Sequence, residues 1–167
     1  RKHTIEEYLI ICEKLKEINP NIEFSSDFII GYPGENDHDF KNTMELIKKV
    51  KFINSYSFIF SSRPGTVAAG LDLVDQQKSK ERLKIIQKKL SENQIEKNKG
   101  LEGKILDVLV ENQMRDKIKL FGRTEHMTSV IFDGNIDCVG KTVQVEITSS
   151  NQNSLFGTLK QNKKKVA

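Results

Sequence analysis

The sequence is short of cysteine, proline and long apolar runs, and each shortage removes a class of protein. Its two cysteines, Cys12 and Cys138, stand 126 positions apart and share no local spacing, which excludes a disulfide framework. A zinc site or an iron–sulfur cluster usually needs three or four Cys/His ligands, and these thiols with His3, His38 and His126 provide no such set, so no metal ligand is assigned. They read as two buried free thiols in a reducing compartment. Three prolines and ten glycines in 167 residues rule out a collagen-like or low-complexity chain. No apolar run approaches the roughly 20 residues of a membrane-spanning helix. Arg1-Lys2-His3 leads into an amphipathic pattern and not into the apolar stretch of a signal peptide. The expectation is a soluble cytoplasmic protein with no membrane partner. A Ser/His/Asp arrangement, a phosphate-binding Gly-rich loop ending in Lys-Ser/Thr and a His/Glu metal helix are also missing, so no catalytic residue is assigned and spacing alone names no reaction.

What is present is enough to fold. Hydrophobic residues make up 37% and charged residues 30%, and the length suits one ordinary domain or two small ones. The net charge of +4 is uneven: residues 1–95 carry 15 Lys/Arg against 14 Asp/Glu, and residues 96–167 carry 12 against 9. The second part is therefore the one to expect against a polyanion.

Thr4-Ile5-Glu6-Glu7 reads as a capping box, and Tyr8, Leu9, Cys12, Leu15 and Ile18 follow at helical spacing until Asn19-Pro20. Glu23 to Ile30 predicts a strand buried on both faces in a parallel sheet, with Gly31-Tyr32-Pro33-Gly34-Glu35 as the loop after it. Asn36 caps a helix to Val50, Ser55 to Phe60 is a second strand, and Asp75 to about Lys97 is a long charged helix. Alternating helices and strands of this kind build α/β folds, yet two parallel strands leave both edges open. Arg1 is therefore not expected to be a natural start, and the missing initiator Met agrees.

Beyond Asn98-Lys99-Gly100 the pattern turns to short strands: Lys104–Glu111, Lys117–Arg123, Thr128–Phe132, Lys141–Ile147 and Ser154–Leu159. Five strands in so short a stretch predict a small closed β-barrel of oligonucleotide-binding type, an all-β part after the α/β part. Phe121, Phe132 and Phe156 are expected in its core. Residues 161–167 carry Lys163-Lys164-Lys165 and are expected to form a disordered basic tail. The linear sequence shows no internal repeat.

Ligands of a parallel sheet sit beyond the carboxyl ends of its strands, which singles out Asp27, Gly31, Tyr32, Pro33, Gly34 and Glu35. Glycines let backbone approach a ligand, and Glu35 would accept from a hydroxyl or ammonium. The loop Arg63-Pro64-Gly65-Thr66 is expected beside it, with Arg63 able to fork onto a carboxylate or phosphate. In the barrel, Lys117 and Lys119 precede Gly122-Arg123-Thr124-Glu125-His126-Met127 at a strand end. Cations beside a hydrogen-bonding loop suit an RNA backbone with unpaired bases. Lys117, Lys119, Arg123, Thr124, Glu125 and His126 are the candidate RNA contacts.

Taken together, Ser26-Asp27-Phe28-Ile29-Ile30-Gly31-Tyr32-Pro33-Gly34-Glu35, then Tyr56-Ser57-Phe58-Ile59-Phe60-Ser61 with Arg63-Pro64-Gly65-Thr66, then Gly122-Arg123-Thr124-Glu125 resemble the tRNA methylthiotransferases. This is the radical S-adenosylmethionine family that thiomethylates an adenosine beside the anticodon. The resemblance runs from Arg1 to about Lys160, and Arg-Pro-Gly-Thr resembles the branch acting on isopentenyladenosine. It implies that residues 1–97 are the C-terminal part of a partial (βα) TIM-type barrel and residues 98–160 the TRAM domain, a small RNA-binding barrel. It also implies an S-adenosylmethionine pocket touching Asp27, Gly31, Pro33 and Gly34, with Arg1 and Arg63 near the barrel mouth. The implied partner is a tRNA anticodon stem-loop. Ser62 and Val67 stand where the family usually has proline.

The family holds two [4Fe–4S] clusters, one on C-x-x-x-C-x-x-C and one on three cysteines of an N-terminal domain, and this sequence carries neither set. The resemblance therefore implies the C-terminal half of such an enzyme, inert alone and missing the N-terminal half of the same polypeptide. The alternative, from a different class, is a stand-alone RNA-binding adaptor without catalysis.

Overall fold

The computed structural model describes residues 3–115 and 117–160. Arg1 and the expected tail at 161–167 lie outside the described residues. The chain falls into two compact units, Arg1–Asn93 and Gln94–Ala167.

In the first unit, local sequence sets the helix ends. Helix α1 (Ile5–Ile18) starts where the Thr4 hydroxyl accepts from the Glu7 amide at 3.3 Å and the Glu7 carboxylate accepts from the Thr4 amide at 2.8 Å. Helix α2 (Asp37–Val50) repeats the device with Asn36 and Asp39, and ends at Lys51 in the left-handed region. Strands β1 (Asp27–Ile30) and β2 (Tyr56–Ile59) pair in parallel, from Asp27 opposite Tyr56 to Ile30 opposite Ile59. Strand β1 is four residues, shorter than the expected run from Glu23, because only Asp27–Ile30 has a neighbouring strand to pair with. Helix α3 (Gln76–Lys99) follows a short 3-10 turn at Val67–Gly70.

The helices cover one face of this two-stranded sheet. Cys12, Phe28, Ile30, Ile47, Val50, Phe52, Ile86 and Leu90 form the core, with Phe28 and Phe52 edge to face at 5.3 Å. Each buried apolar side chain contributes about 1.5–3 kcal/mol relative to exposure. The opposite face is bare: Ile29, Tyr56 and Phe58 are more than half exposed, beside Asp27. The sheet thus has one covered face and one uncovered face, where a strand buried on both was expected.

The second unit is a closed barrel of β3 (Ile105–Gln113), β4 (Lys119–Arg123), β5 (Ser129–Asp133), β6 (Thr142–Ser150) and β7 (Ser154–Leu159), in the order β3-β4-β5-β7-β6. All pairs are antiparallel except β5 with β7. That is the Greek-key order of an oligonucleotide-binding barrel, and closure leaves no free edge. Val108, Val110, Leu120, Val130, Phe132, Val145, Ile147 and Leu155 alternate inward as the core. The last turn of α3 belongs to this unit: the buried Asn98 amide donates to the carbonyls of Asn151 (2.7 Å) and Gln152 (3.1 Å).

One expectation for the barrel is corrected. Phe132 is in the core, but Phe121 and Phe156 are on the outer face, because Leu120 with Gly122, and Leu155 with Gly157, take the inward positions. The barrel also uses one tripeptide twice in equivalent settings. Leu-Phe-Gly occurs at Leu120-Phe121-Gly122 and again at Leu155-Phe156-Gly157. Each copy pairs with a strand whose register shifts, between Val110 and Asn112 in β3 and between Ile147 and Ser149 in β6. A Cβ on Gly122 would lie 2.4 Å from the Leu109 carbonyl oxygen, and one on Gly157 would lie 2.4 Å from that of Glu146. The missing side chains are what let the strands approach at these two bends.

Candidate cofactor loops and nucleic-acid interface

Two Pro-Gly turns stand at the carboxyl ends of β1 and β2. In Tyr32-Pro33-Gly34-Glu35 the Glu35 amide donates to the Tyr32 carbonyl at 2.8 Å, and in Arg63-Pro64-Gly65-Thr66 the Thr66 amide donates to the Arg63 carbonyl at 3.3 Å. Proline presets the second position, while Gly34 (φ +87°) and Gly65 (φ +82°) supply the left-handed third position of a type II turn. The Phe60 amide extends the ladder to the Ile30 carbonyl at 2.7 Å, and the Tyr32 and Phe60 rings meet edge to face at 5.1 Å. The two loops are therefore neighbours.

The first loop is held from beneath. Gly31 (φ +69°) donates its amide to Glu35 Oε2 at 2.9 Å. Glu35 Oε1 takes Arg82 Nη1 at 2.5 Å, and Arg82 Nη2 reaches Asp37 Oδ1 at 2.6 Å, with Phe40 under the guanidinium at 5.3 Å. Lys78 Nζ adds a contact to Asp37 at 2.9 Å. The Lys78 hydrogen bond, and then that of Arg82, hold the Asp37 carboxyl below its ordinary value. Burial works against the charge on Arg82, but hydrogen bonds to Asp37 and Glu35 outweigh it and its pKa is raised. A Cβ on Gly31 would fall 2.4 Å from Ser79 Oγ on α3. Glu35, singled out as an acceptor for a ligand, is occupied within the protein. Arg82, which organises the loop, escaped the sequence reading because it is one cation among many on a charged helix.

Of the candidates on these loops, Asp27 is exposed on the bare face of β1, Tyr32 and Gly34 are exposed and Pro33 half-buried in the first turn, and Arg63 is exposed in the second loop. An added Cβ at Gly34 or Gly65 would meet nothing within 4 Å, so the backbone there is open to close approach. Gly31 is buried against α3 and is part of the support.

In the barrel, Lys117 (φ +58°) and Lys119 lead into β4, both exposed. Arg123 ends β4, where its Nε meets Glu111 Oε1 at 3.1 Å, its Nη1 donates to the Met127 carbonyl at 3.1 Å, and its guanidinium lies 5.4 Å from the Phe121 ring centre. The β4–β5 connection is a three-residue hairpin loop, Glu125-His126-Met127, closed by the Thr124 amide on the Thr128 carbonyl at 3.0 Å. Such loops finish on a left-handed residue, here Met127 at φ +60°. Thr124 is buried and its hydroxyl accepts from the Thr128 amide at 3.3 Å, so it shapes the loop from inside. Glu125 is exposed at the tip, and its Oε1 lies 3.8 Å from His126 Nδ1. Lys117 and Lys119 thus stand at the start of β4, whereas Arg123, Glu125 and His126 stand at its far end and in the loop beyond, so the structure groups the last three and not all five.

Among the described residues, no group of three or more His, Cys, Asp or Glu is placed to hold a metal ion, and no helix is long and apolar enough to cross a membrane.

Residues 99–160 match the TRAM domain family. The whole chain is 77% identical to 38% of the length of the tRNA-2-methylthio-N(6)-dimethylallyladenosine synthase of Pelagibacter ubique (strain HTCC1062). Enzymes of the same name are similar at 44% identity over 95% of the chain in Ruthia magnifica subsp. Calyptogena magnifica, and at 44% over 97% in Anaplasma phagocytophilum (strain HZ). There the chain spans 36% and 38% of the relative's length.

Proposed function

We infer that the chain, whose residues 99–160 are a TRAM domain, is the C-terminal part of a tRNA-2-methylthio-N(6)-dimethylallyladenosine synthase. The observation that carries this reading is the 77% identity along the entire chain. A closed barrel of oligonucleotide-binding order in the matched region supports it. The dimethylallyl group of the relatives' name is the isopentenyl group expected from the Arg-Pro-Gly-Thr loop. On this reading the whole enzyme places a methylthio group on carbon 2 of that adenosine, beside the anticodon, in the cytoplasm. Residues 98–160 hold the anticodon stem-loop through Lys117, Lys119, Arg123, Glu125 and His126, with Thr124 fixing the loop. Residues 1–97 form the end of a partial (βα) barrel.

The loops at the ends of β1 and β2 fit S-adenosylmethionine in kind. Asp27 offers a carboxylate to an ammonium or hydroxyl, Arg63 a guanidinium to a carboxylate, and Pro33-Gly34 an open backbone edge, while Gly31 and Glu35 keep that edge in place. Arg1, the other candidate, lies outside the described residues. S-adenosylmethionine bound there supplies the radical and the methyl group. The residues do not fit a [4Fe–4S] cluster: Cys12 is buried in the core of the first unit and Cys138 belongs to the second. The chain alone is therefore inert, and its first partner is the N-terminal part of the same polypeptide, which covers Ile29, Tyr56 and Phe58. A stand-alone adaptor would have to keep that apolar face in water.

A chimera tests this. The corresponding segment of the Pelagibacter enzyme is replaced by this chain, and tRNA from a strain lacking its own synthase is analysed by mass spectrometry for the methylthio nucleoside. The modification should return. A chimera that loads its clusters, binds S-adenosylmethionine and leaves the adenosine untouched would overturn the reading.

A further inference from the structure

The outer face of the barrel carries one apolar row that the candidate RNA contacts do not explain. Phe121 on β4 lies opposite Ile131 on β5, and Ile131 lies opposite Phe156 on β7, so three strands present these side chains in one line. All three are partly exposed and none belongs to the core cluster. Polar rows flank the line: Arg123, Ser129 and Ser154 on one side, and Lys119, Asp133 and Thr158 on the other. Both phenylalanines belong to the repeated Leu-Phe-Gly, so the same inward glycine beside a register shift presents each ring outward.

We propose that Phe121, Ile131 and Phe156 form a stacking platform for unpaired bases of the bound RNA. The proposal rests on the reading of this barrel as RNA-binding and adds to it the surface that meets bases and not phosphates. Two rings about 10 Å apart, across two strand spacings, give two stacking surfaces with an aliphatic floor between them. Arg123 already lies over the Phe121 ring, and a guanidinium plane is itself a surface on which a base stacks. The flanking rows are close to neutral, since Lys119 lies opposite Asp133 and Arg123 meets Glu111. Lys119 and Arg123 at its margins meet phosphates, and the apolar row between them adds a hold that is indifferent to charge, which is what stacking supplies. The row is also too small for a stable protein partner: three half-covered side chains between polar rows fall far short of the roughly 800 Å² per partner of a standard interface.

The chain has no tryptophan, so Phe121→Trp and Phe156→Trp each install a single reporter. Each is titrated with a short oligoadenylate and with inorganic polyphosphate of matched charge. In parallel the double variant Phe121→Leu/Phe156→Leu, which keeps apolar bulk but has no rings, is checked for an unchanged melt and titrated with the oligoadenylate. The platform predicts quenching of both tryptophans by the oligoadenylate and not by polyphosphate. It also predicts an affinity about 10-fold lower for the double Leu variant, as loss of base–aromatic stacking gives, with the salt dependence unchanged. Parental affinity in that variant, or equal quenching by polyphosphate, overturns the platform and leaves RNA binding intact. Self-association of the parent chain that the Leu variant loses overturns it in favour of a second copy. If the parent chain binds no RNA at all, the reading of the barrel falls with it.

Discussion

Arg82 and Glu35, 47 positions apart, make a 2.5 Å ion pair in which the arginine side chain is 4% exposed and the carboxylate 13%. Through it, α3 holds the loop that follows β1, because the other oxygen of Glu35 takes the Gly31 amide. Replacing Arg82 leaves that carboxylate covered and uncompensated. Arg82→Met should lower unfolding free energy by about 3 kcal/mol, the usual cost of breaking a buried pair from one side. Urea denaturation measures it, and a loss below 1 kcal/mol would show that water or Lys78 replaces the guanidinium.

Asp37 gives the same cluster an acid sensitivity. Its carboxyl is held below its ordinary value of 3.8, by Lys78 first and Arg82 second, so the folded state binds its proton later than the unfolded chain. The stabilisation is present above the unfolded value and is lost as pH falls through the lower, folded one. An NMR titration should place the Asp37 midpoint below 3.8 and move it upward in Lys78→Met. An unmoved midpoint would dissociate Lys78 from the shift.

Met127 occupies a left-handed position where the hairpin type prefers glycine. Met127→Gly should raise stability by about 0.5–1 kcal/mol by removing Cβ strain, and Met127→Val should lower it by about 1 kcal/mol because a β-branched side chain tolerates that region least. Thermal melts of the two variants in opposite directions are the expected result.

Gly122 and Gly157 differ from Gly140 in a way that alanine reports. Gly140 has a positive φ and open space, so Gly140→Ala should cost about 1 kcal/mol from backbone strain alone. Gly122→Ala and Gly157→Ala drive a methyl into a neighbouring strand's carbonyl and should each cost about 2–3 kcal/mol or prevent barrel closure, as overpacking does. Equal melting temperatures for all three would contradict the close approach described above.

Under the RNA-binding reading, Lys119→Ala and Arg123→Ala should each weaken binding to an anticodon stem-loop by on the order of 1 kcal/mol and flatten the salt dependence by about one phosphate contact. Filter binding across a salt series separates them from the Phe121 and Phe156 variants, whose slopes stay parental.

Much of this architecture is legible in the sequence because its determinants are local. Thr4 with Glu7 and Asn36 with Asp39 sit within one turn, and both helix starts follow from them. Val108, Val110, Val145 and Ile147 alternate cleanly, and the strands they mark are where the pattern puts them. Legibility fails where a choice is made at a distance. In Leu120-Phe121-Gly122, adjacent apolar residues cannot say which faces inward; a close neighbouring strand decides, by admitting only glycine at position 122. The shifts near Glu111 and Thr148 move the alternation by one, which a period of two cannot anticipate. Arg82 is invisible for the opposite reason, since Lys78, Lys80 and Lys84 surround it with the same charge and only the folded loop distinguishes it.

The ring of five strands also sets an order of events during synthesis. Strands β3, β4 and β5 are joined by short connections and meet in sequence, but Ile105 finds Glu146 only 41 positions later, and β5 waits for β7. A ribosome adding about 5–20 residues per second exposes β3 for roughly 2–8 s before its second neighbour exists. For that interval Ile105 and Leu109 stand on an unpaired edge, so the emerging chain is most open to aggregation just before the strand that seals it arrives.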